Sequence, residues 1–117
     1  VNEENSQSST EGGKESGNQA TRKRFGQIVK KLRNIRGKTQ CELAVNVGMD
    51  SGYLSRIENG HRNPPNAMKV KKLAQSLGVS ERFLFMAAGY LELTEEGLPV
   101  TDKYLKQRIA QEVLPIE

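Results

Sequence analysis

The stretch from Thr39 to Gly60, TQCELAVNVGMDSGYLSRIENG, leaves the backbone few choices. Leu43, Ala44 and Val47 fall three and four apart, which is the apolar face of a helix over Gln40–Val47. Thr39 is placed to cap that helix, and Glu42 stands at the spacing of a capping box. Gly48 follows where a left-handed residue would end it. Asp50 can cap a second helix from Ser51 to about Glu58, with Leu54 and Ile57 facing inward. The stretch therefore spells two short helices joined by a tight turn, a pair that crosses steeply.

Similar punctuation divides the rest of the chain. Phe25, Ile28, Val29, Leu32 and Ile35 recur at helical spacing and predict a first helix over about Thr21–Arg36, with Gly37 as its stop. Pro64 and Pro65 forbid a helix through the loop that follows Gly60. Asn66 can cap a helix from Ala67 to Leu77, with Val70, Leu73, Ala74 and Leu77 inward and Lys69, Lys71 and Lys72 outward. Ser80 can cap a fifth, Glu81 to about Ala88, with Leu84, Phe85 and Ala88 toward the core. Five short helices with brief loops imply an all-α fold, a compact orthogonal bundle over residues 21–92 that is large enough to fold alone. After a looser segment, Thr101 introduces one more helix, Asp102–Val113, closed by Pro115. Its stripe of Leu105, Ile109 and Val113, with Tyr104 beside it, is too thin for a core of its own. Residues 93–117 thus form a linker and a helix that either folds back or packs against the same helix of a second chain. Because the bundle is complete without it, the second arrangement is preferred.

Hydrophobic residues make up 35% of the 117, too few for the whole chain to pack. Residues 1–20, rich in Ser, Gly, Asn and Glu, read as a disordered tail. The net charge of +4 hides a division: residues 21–92 hold fourteen Lys and Arg against five Asp and Glu, while both flanks are net acidic. Basic charge therefore gathers on the segment with the two-helix motif, as a phosphate-binding surface needs, although such patches also serve solubility alone. Arg22, Lys23 and Arg24 are either a solvated helix start or an arm touching phosphates, since cations at a helix N-terminus oppose its dipole. The single Cys41 excludes an internal disulfide, and with one histidine, His61, there is no metal-ligand set and no cofactor to expect. No catalytic triad or phosphate loop is present, so an enzyme is not expected. No apolar run approaches the ~18 residues of a membrane span, and a soluble cytoplasmic protein is the expectation.

The run FGQIVKKLRNIRGKTQCELAVNVGMDSGYLSRIENGHRNPP, continued by KKLAQSLGVSERFLFMAAGY, resembles the phage-repressor and Cro type of helix-turn-helix domain, the XRE family of bacterial and phage regulators. The likeness covers about residues 25–90 and rests on TQ-x-ELA, YLSRIENG-x-RNPP and LA-x-x-LGVS in that order. It implies a lambda-repressor-like domain whose helix 51–58 enters the DNA major groove. By the same likeness, Ser51, Gly52, Ser55 and Arg56 read bases. Gln40, Asn59, Arg62 and Asn63 contact the DNA backbone, and Arg33 and Glu58 form a structural ion pair tying the first helix to the third. Lys38 stands where relatives usually carry Leu, so either that junction is less buried or Lys38 faces phosphate. Tyr53 either bonds a phosphate through its hydroxyl or packs against the second helix.

The residues themselves agree. Leu54 and Ile57 make the inward face, and Arg56 is the one charged side chain on the outward face, able to bond O6 and N7 of guanine or else a phosphate or a neighbour. Gly52 offers no side chain, so readout by one copy is sparse. The implied function is a repressor that binds double-stranded DNA as a homodimer on a palindromic operator, working on the nucleoid of a bacterial or phage-infected cell. The competing expectation is an antitoxin-like module that binds a protein partner through its C-terminal segment and represses its own gene as well. Only a short segment follows the bundle, so an effector pocket is not expected.

Overall fold

A computed structural model describes residues 19–113. Six helices follow one another in it: α1 (Gln19–Ile35), α2 (Gln40–Val47), α3 (Ser51–Glu58), α4 (Ala67–Leu77), α5 (Glu81–Ala88) and α6 (Asp102–Val113). Their ends are set by side chains. Thr39 accepts from the Glu42 amide at 3.0 Å while Glu42 accepts from the Thr39 amide at 2.9 Å, a complete capping box. Asp50, Asn66 and Ser80 cap α3, α4 and α5 through the amides of Tyr53, Lys69 and Phe83. Gly48 leaves α2 at φ 70°, in the left-handed region that suits glycine.

Two boundaries differ from expectation. Helix α1 starts at Gln19, so two residues assigned to the polar tail are helical, and it stops at Ile35 rather than Arg36. Ala20 is the strongest helix former, and Thr21 and Arg22 are half-buried, which anchors this polar first turn where composition saw only tail. The remainder of that tail, and Pro115, lie outside the described residues.

The core runs through all six helices. Phe25, Val29 and Leu32 of α1 meet Leu43 and Val47 of α2, Leu54 and Ile57 of α3, and Val70, Leu73 and Leu77 of α4, all fully buried. Helix α5 buries five of its eight residues, more than one face. Phe83 is fully buried, whereas Phe85, expected inside, is half-buried with its ring edge against Tyr90 at 5.8 Å between centroids. Helix α5 packs against α4 and α1, and α6 adds a further contact.

This corrects the expectation for the C-terminal helix. Helix α6 folds back within its own chain, with Leu105 and Ile109 in the common core. The turn is made by residues 91–100, where Leu93 and Pro99 bridge antiparallel and Thr94, itself buried, donates to the Leu98 carbonyl at 2.7 Å. Charged residues hold it there. Glu112 accepts from the Ser80 amide at 2.8 Å and the Ser80 hydroxyl at 3.2 Å, so α6 caps the start of α5. Arg108 donates to Glu112 at 3.0 Å and to both oxygens of Glu95 at 3.2 and 3.1 Å. Its apolar stripe is thus used inside the chain, with Val113 and Tyr104 packed partly against the same core.

The seat of α3 is a close approach of two backbones. A Cβ on Gly26, in the middle of α1, would stand 2.3 Å from the Ile57 carbonyl oxygen and 2.7 Å from that of Glu58. Only glycine lets the last turn of α3 rest directly on α1. Gly26→Ala should therefore lower stability despite alanine's better helix propensity, by about 1–3 kcal/mol as in other overpacked sites. Urea unfolding checks this, and a more stable variant would mean that the approach is looser than described. A second expectation concerns pH. The Arg108 guanidinium bonded to Glu95 holds that carboxyl at about 2, below its ordinary 4.5. A lowered carboxylate stabilises above its unfolded value and loses that contribution as pH falls through its folded one. Wild type should thus exceed Glu95→Gln in thermal midpoint by a constant margin from neutral pH down to the ordinary 4.5, and the margin should vanish as pH nears 2. A margin unchanged at the acid end would show that these ion pairs do not hold α6.

Candidate nucleic-acid interface

Helix α3 is fixed at its far end by an ion pair. Arg33 on α1 donates from Nε to Glu58 Oε2 at 2.7 Å and from Nη2 to Oε1 at 2.9 Å, a two-pronged contact with both residues buried. Its third nitrogen, Nη1, donates to the Lys38 carbonyl at 2.9 Å. The hydrogen bonds to Glu58 push the Arg33 guanidinium up, against the opposing effect of burial. Gln40, at the start of α2, adds its amide to Glu58 Oε1 at 2.9 Å. One carboxylate therefore gathers α1, α2 and α3. Gln40 is half-buried and already engaged, which makes it partly a strut rather than simply a free phosphate ligand. Lys38 is half-buried beside it.

The outward face of α3 carries Ser51, Gly52 and Ser55, each half-buried, and Arg56, which is exposed. Past its end, Asn59, Arg62 and Asn63 are exposed in sequence. Tyr53 is half-buried against the core, and the Arg62 guanidinium lies over its ring at 5.6 Å from the centroid. Arg22 on α1 donates to the Asn63 side chain at 3.4 Å. Arg22, Tyr53, His61, Arg62, Asn63 and Asn66 border a cleft of about 320 Å³ beside the end of α3. Three residues assigned to the DNA backbone are thereby brought together, and Arg22 joins them from a cluster whose role was open.

The other cations divide differently from expectation. Arg24 is neither solvated nor a phosphate arm: it donates to the carbonyls of Met86 and Ala87 at 3.1–3.2 Å and closes the end of α5. Arg36 does the same for α4 through Leu77 at 2.7 Å, and Lys69 for α2 through Val47 and Gly48 at 3.2 and 2.8 Å. Cations suit helix C-termini, where carbonyls lack amide partners and the dipole is negative. Part of the basic excess is consequently structural. Sequence reading missed these three cappers because nothing local to Arg24, Arg36 or Lys69 reveals which distant helix end they reach. Gly26 was also missed, though a glycine inside a helical pattern is itself a signal of close approach.

The described residues hold no group of three His, Cys, Asp or Glu placed to bind a metal, and Cys41 is exposed and free. None of their helices is long and apolar enough to cross a membrane. What the surface around α3 offers is hydrogen-bond donors, cations and a firmly seated helix.

A helix-turn-helix family model matches residues 29–84, which include α2 and α3. The HTH-type transcriptional repressor RghR of Bacillus subtilis (strain 168) is 39% identical over 72 residues, 62% of this chain and 53% of RghR. The HTH-type transcriptional regulator y4dJ of Sinorhizobium fredii is 42% identical over 59 residues, 50% of this chain and 75% of y4dJ. Among solved structures, the restriction-modification controller protein C.AhdI from Aeromonas hydrophila is 36% identical with a TM-score of 0.52, covering 56% of this chain and 98% of C.AhdI. The chain spans about half the length of RghR. The likeness to y4dJ extends over most of that protein. The chain belongs to the XRE family of helix-turn-helix transcriptional regulators.

Proposed function

We propose that the protein binds double-stranded DNA sequence-specifically with α3 in the major groove, and acts as a transcriptional repressor. The observation that carries this is the outward face of α3. Short residues at 51, 52 and 55 let the helix come close to base edges, and Arg56 is exposed among them. The fixed end at Glu58 supports it, because base readout needs a helix whose angle does not wander. Asn59, Arg62, Asn63 and Lys38 serve as backbone contacts, with Gln40 and Tyr53 in mixed roles of support and contact. The description of RghR as a repressor favours the sign of regulation.

A single copy presents one long reader, so useful selectivity calls for two. A homodimer on a palindromic operator, with half-sites about 34 Å apart, doubles the contacts and fits the family. The protein would then act on the nucleoid, in the cytoplasm. A protein partner bound through the C-terminal segment has less to stand on, since Leu105 and Ile109 face their own core.

Titration at one fixed salt concentration against a selected site and a random duplex tests the groove assignment. Arg56→Ala should weaken the selected site by roughly 1–3 kcal/mol and leave random duplex nearly unchanged. Arg62→Ala should weaken both about equally and reduce the salt slope by about one. Gln40 is a poorer control than Arg62, because its loss also loosens Glu58. An unaltered ratio of selected to random affinity in Arg56→Ala would overturn base readout by Arg56.

A further inference from the structure

Gly52 leaves the first turn of α3 bare, and two charged groups border the gap. A Cβ at that position would stand 2.9 Å from Asp50 Oδ2 and 3.7 Å from Arg56 Nη1. The Asp50 carboxylate thus lies against one edge of the bare patch. The Arg56 guanidinium, one helical turn further on, comes back to the other. Asp50 is held from within, because its Oδ2 accepts from the Tyr53 amide at 3.2 Å as the cap of α3. Its other oxygen has no partner among the described residues, and neither does the Arg56 guanidinium; both side chains are exposed.

We infer that Asp50 is a second base-reading residue, and that Asp50 and Arg56 form the acceptor and donor of one reading couple across Gly52. It rests on α3 being the groove helix. Capping alone does not single out an aspartate: its charge suits the helix dipole, but Asn and Ser cap about as well without a charge that repels phosphates. An ionised carboxylate only accepts hydrogen bonds. In the major groove guanine and thymine meet it with acceptors, and adenine sets an N7 acceptor beside its amino group. Cytosine presents the N4 amino donor alone. Arg56 in turn pairs with O6 and N7 of guanine. The half-site that satisfies both carries a guanine under Arg56 and a cytosine close by under Asp50. Asp50 discriminates chiefly by rejection, since a wrong base leaves the carboxylate facing lone pairs.

Site selection from a random duplex library, run with the full chain as wild type, Asp50→Asn and Asp50→Ser, tests this. Both substitutes keep the cap. Wild type should select a cytosine near the guanine in each half-site. Asp50→Asn should lose that cytosine or exchange it for adenine, which Asn pairs through N6 and N7. Asp50→Ser should lose the cytosine without gaining adenine. Discrimination at that position should fall roughly five- to one-hundred-fold while the guanine is kept. If both variants select the wild-type motif and bind every duplex more tightly to the same degree, Asp50 acts on phosphates alone and the inference is overturned. If wild type selects no motif, the groove assignment of α3 fails and this couple fails with it.

Discussion

How the last turn of α3 meets α1 decides what the rest of the molecule can present. The contact has two parts of different character. At Gly26 the two backbones touch without a side chain between them, which sets the distance. Seven residues later on α1, Arg33 grips Glu58 with two nitrogens, which sets the rotation. A carboxylate and a guanidinium hidden from water are costly apart, so each is tolerable only while the other is in register. Slipping α3 by one residue would strand both charges, so the pair disfavours other registers. Gln40 extends the same condition to α2.

The basic composition carries two messages that the sequence does not separate. Some cations close helix ends, as Arg24, Arg36 and Lys69 do for α5, α4 and α2. Others, such as Arg56 and Arg62, stand exposed around α3. The closing group reaches across the fold and adds a tertiary closure to the local glycine caps at Gly48, Gly78 and Gly89. Net charge alone therefore overstates the electrostatic surface open to an anion.

Local structure was largely legible in the sequence because it is written in caps. The bounds of α2, α3, α4, α5 and α6 follow from Thr39, Asp50, Asn66, Ser80 and Thr101 and from the glycines and prolines between them. Those signals act within four residues and need no knowledge of neighbours. What could not be read was relation. Periodicity puts Phe85 inside and leaves Phe83 out, whereas α5, packed against three other helices, buries Phe83 fully and Phe85 only half. Glu95, Arg108 and Glu112 look like an ordinary solvated face until residues 91–100 turn the chain back. The role of Gly26 depends on which backbone arrives above it. For the surface around α3, the residue types were legible and their grouping was not: Arg22 joins Asn63 across 41 residues.

Lys69 holds the carbonyls of Val47 and Gly48, the residues at which α2 gives way to the turn. The angle between α2 and α3 is thus set partly from α4, outside the two-helix unit. Taken out of this chain, Thr39–Gly60 would keep its caps and its turn residues but lose the clamp over its hinge and the anchor at Glu58. The unit is not a transplantable cassette. Its geometry belongs to the whole bundle, and a graft that aims to move its recognition properties must carry Lys69 and Arg33 along with it.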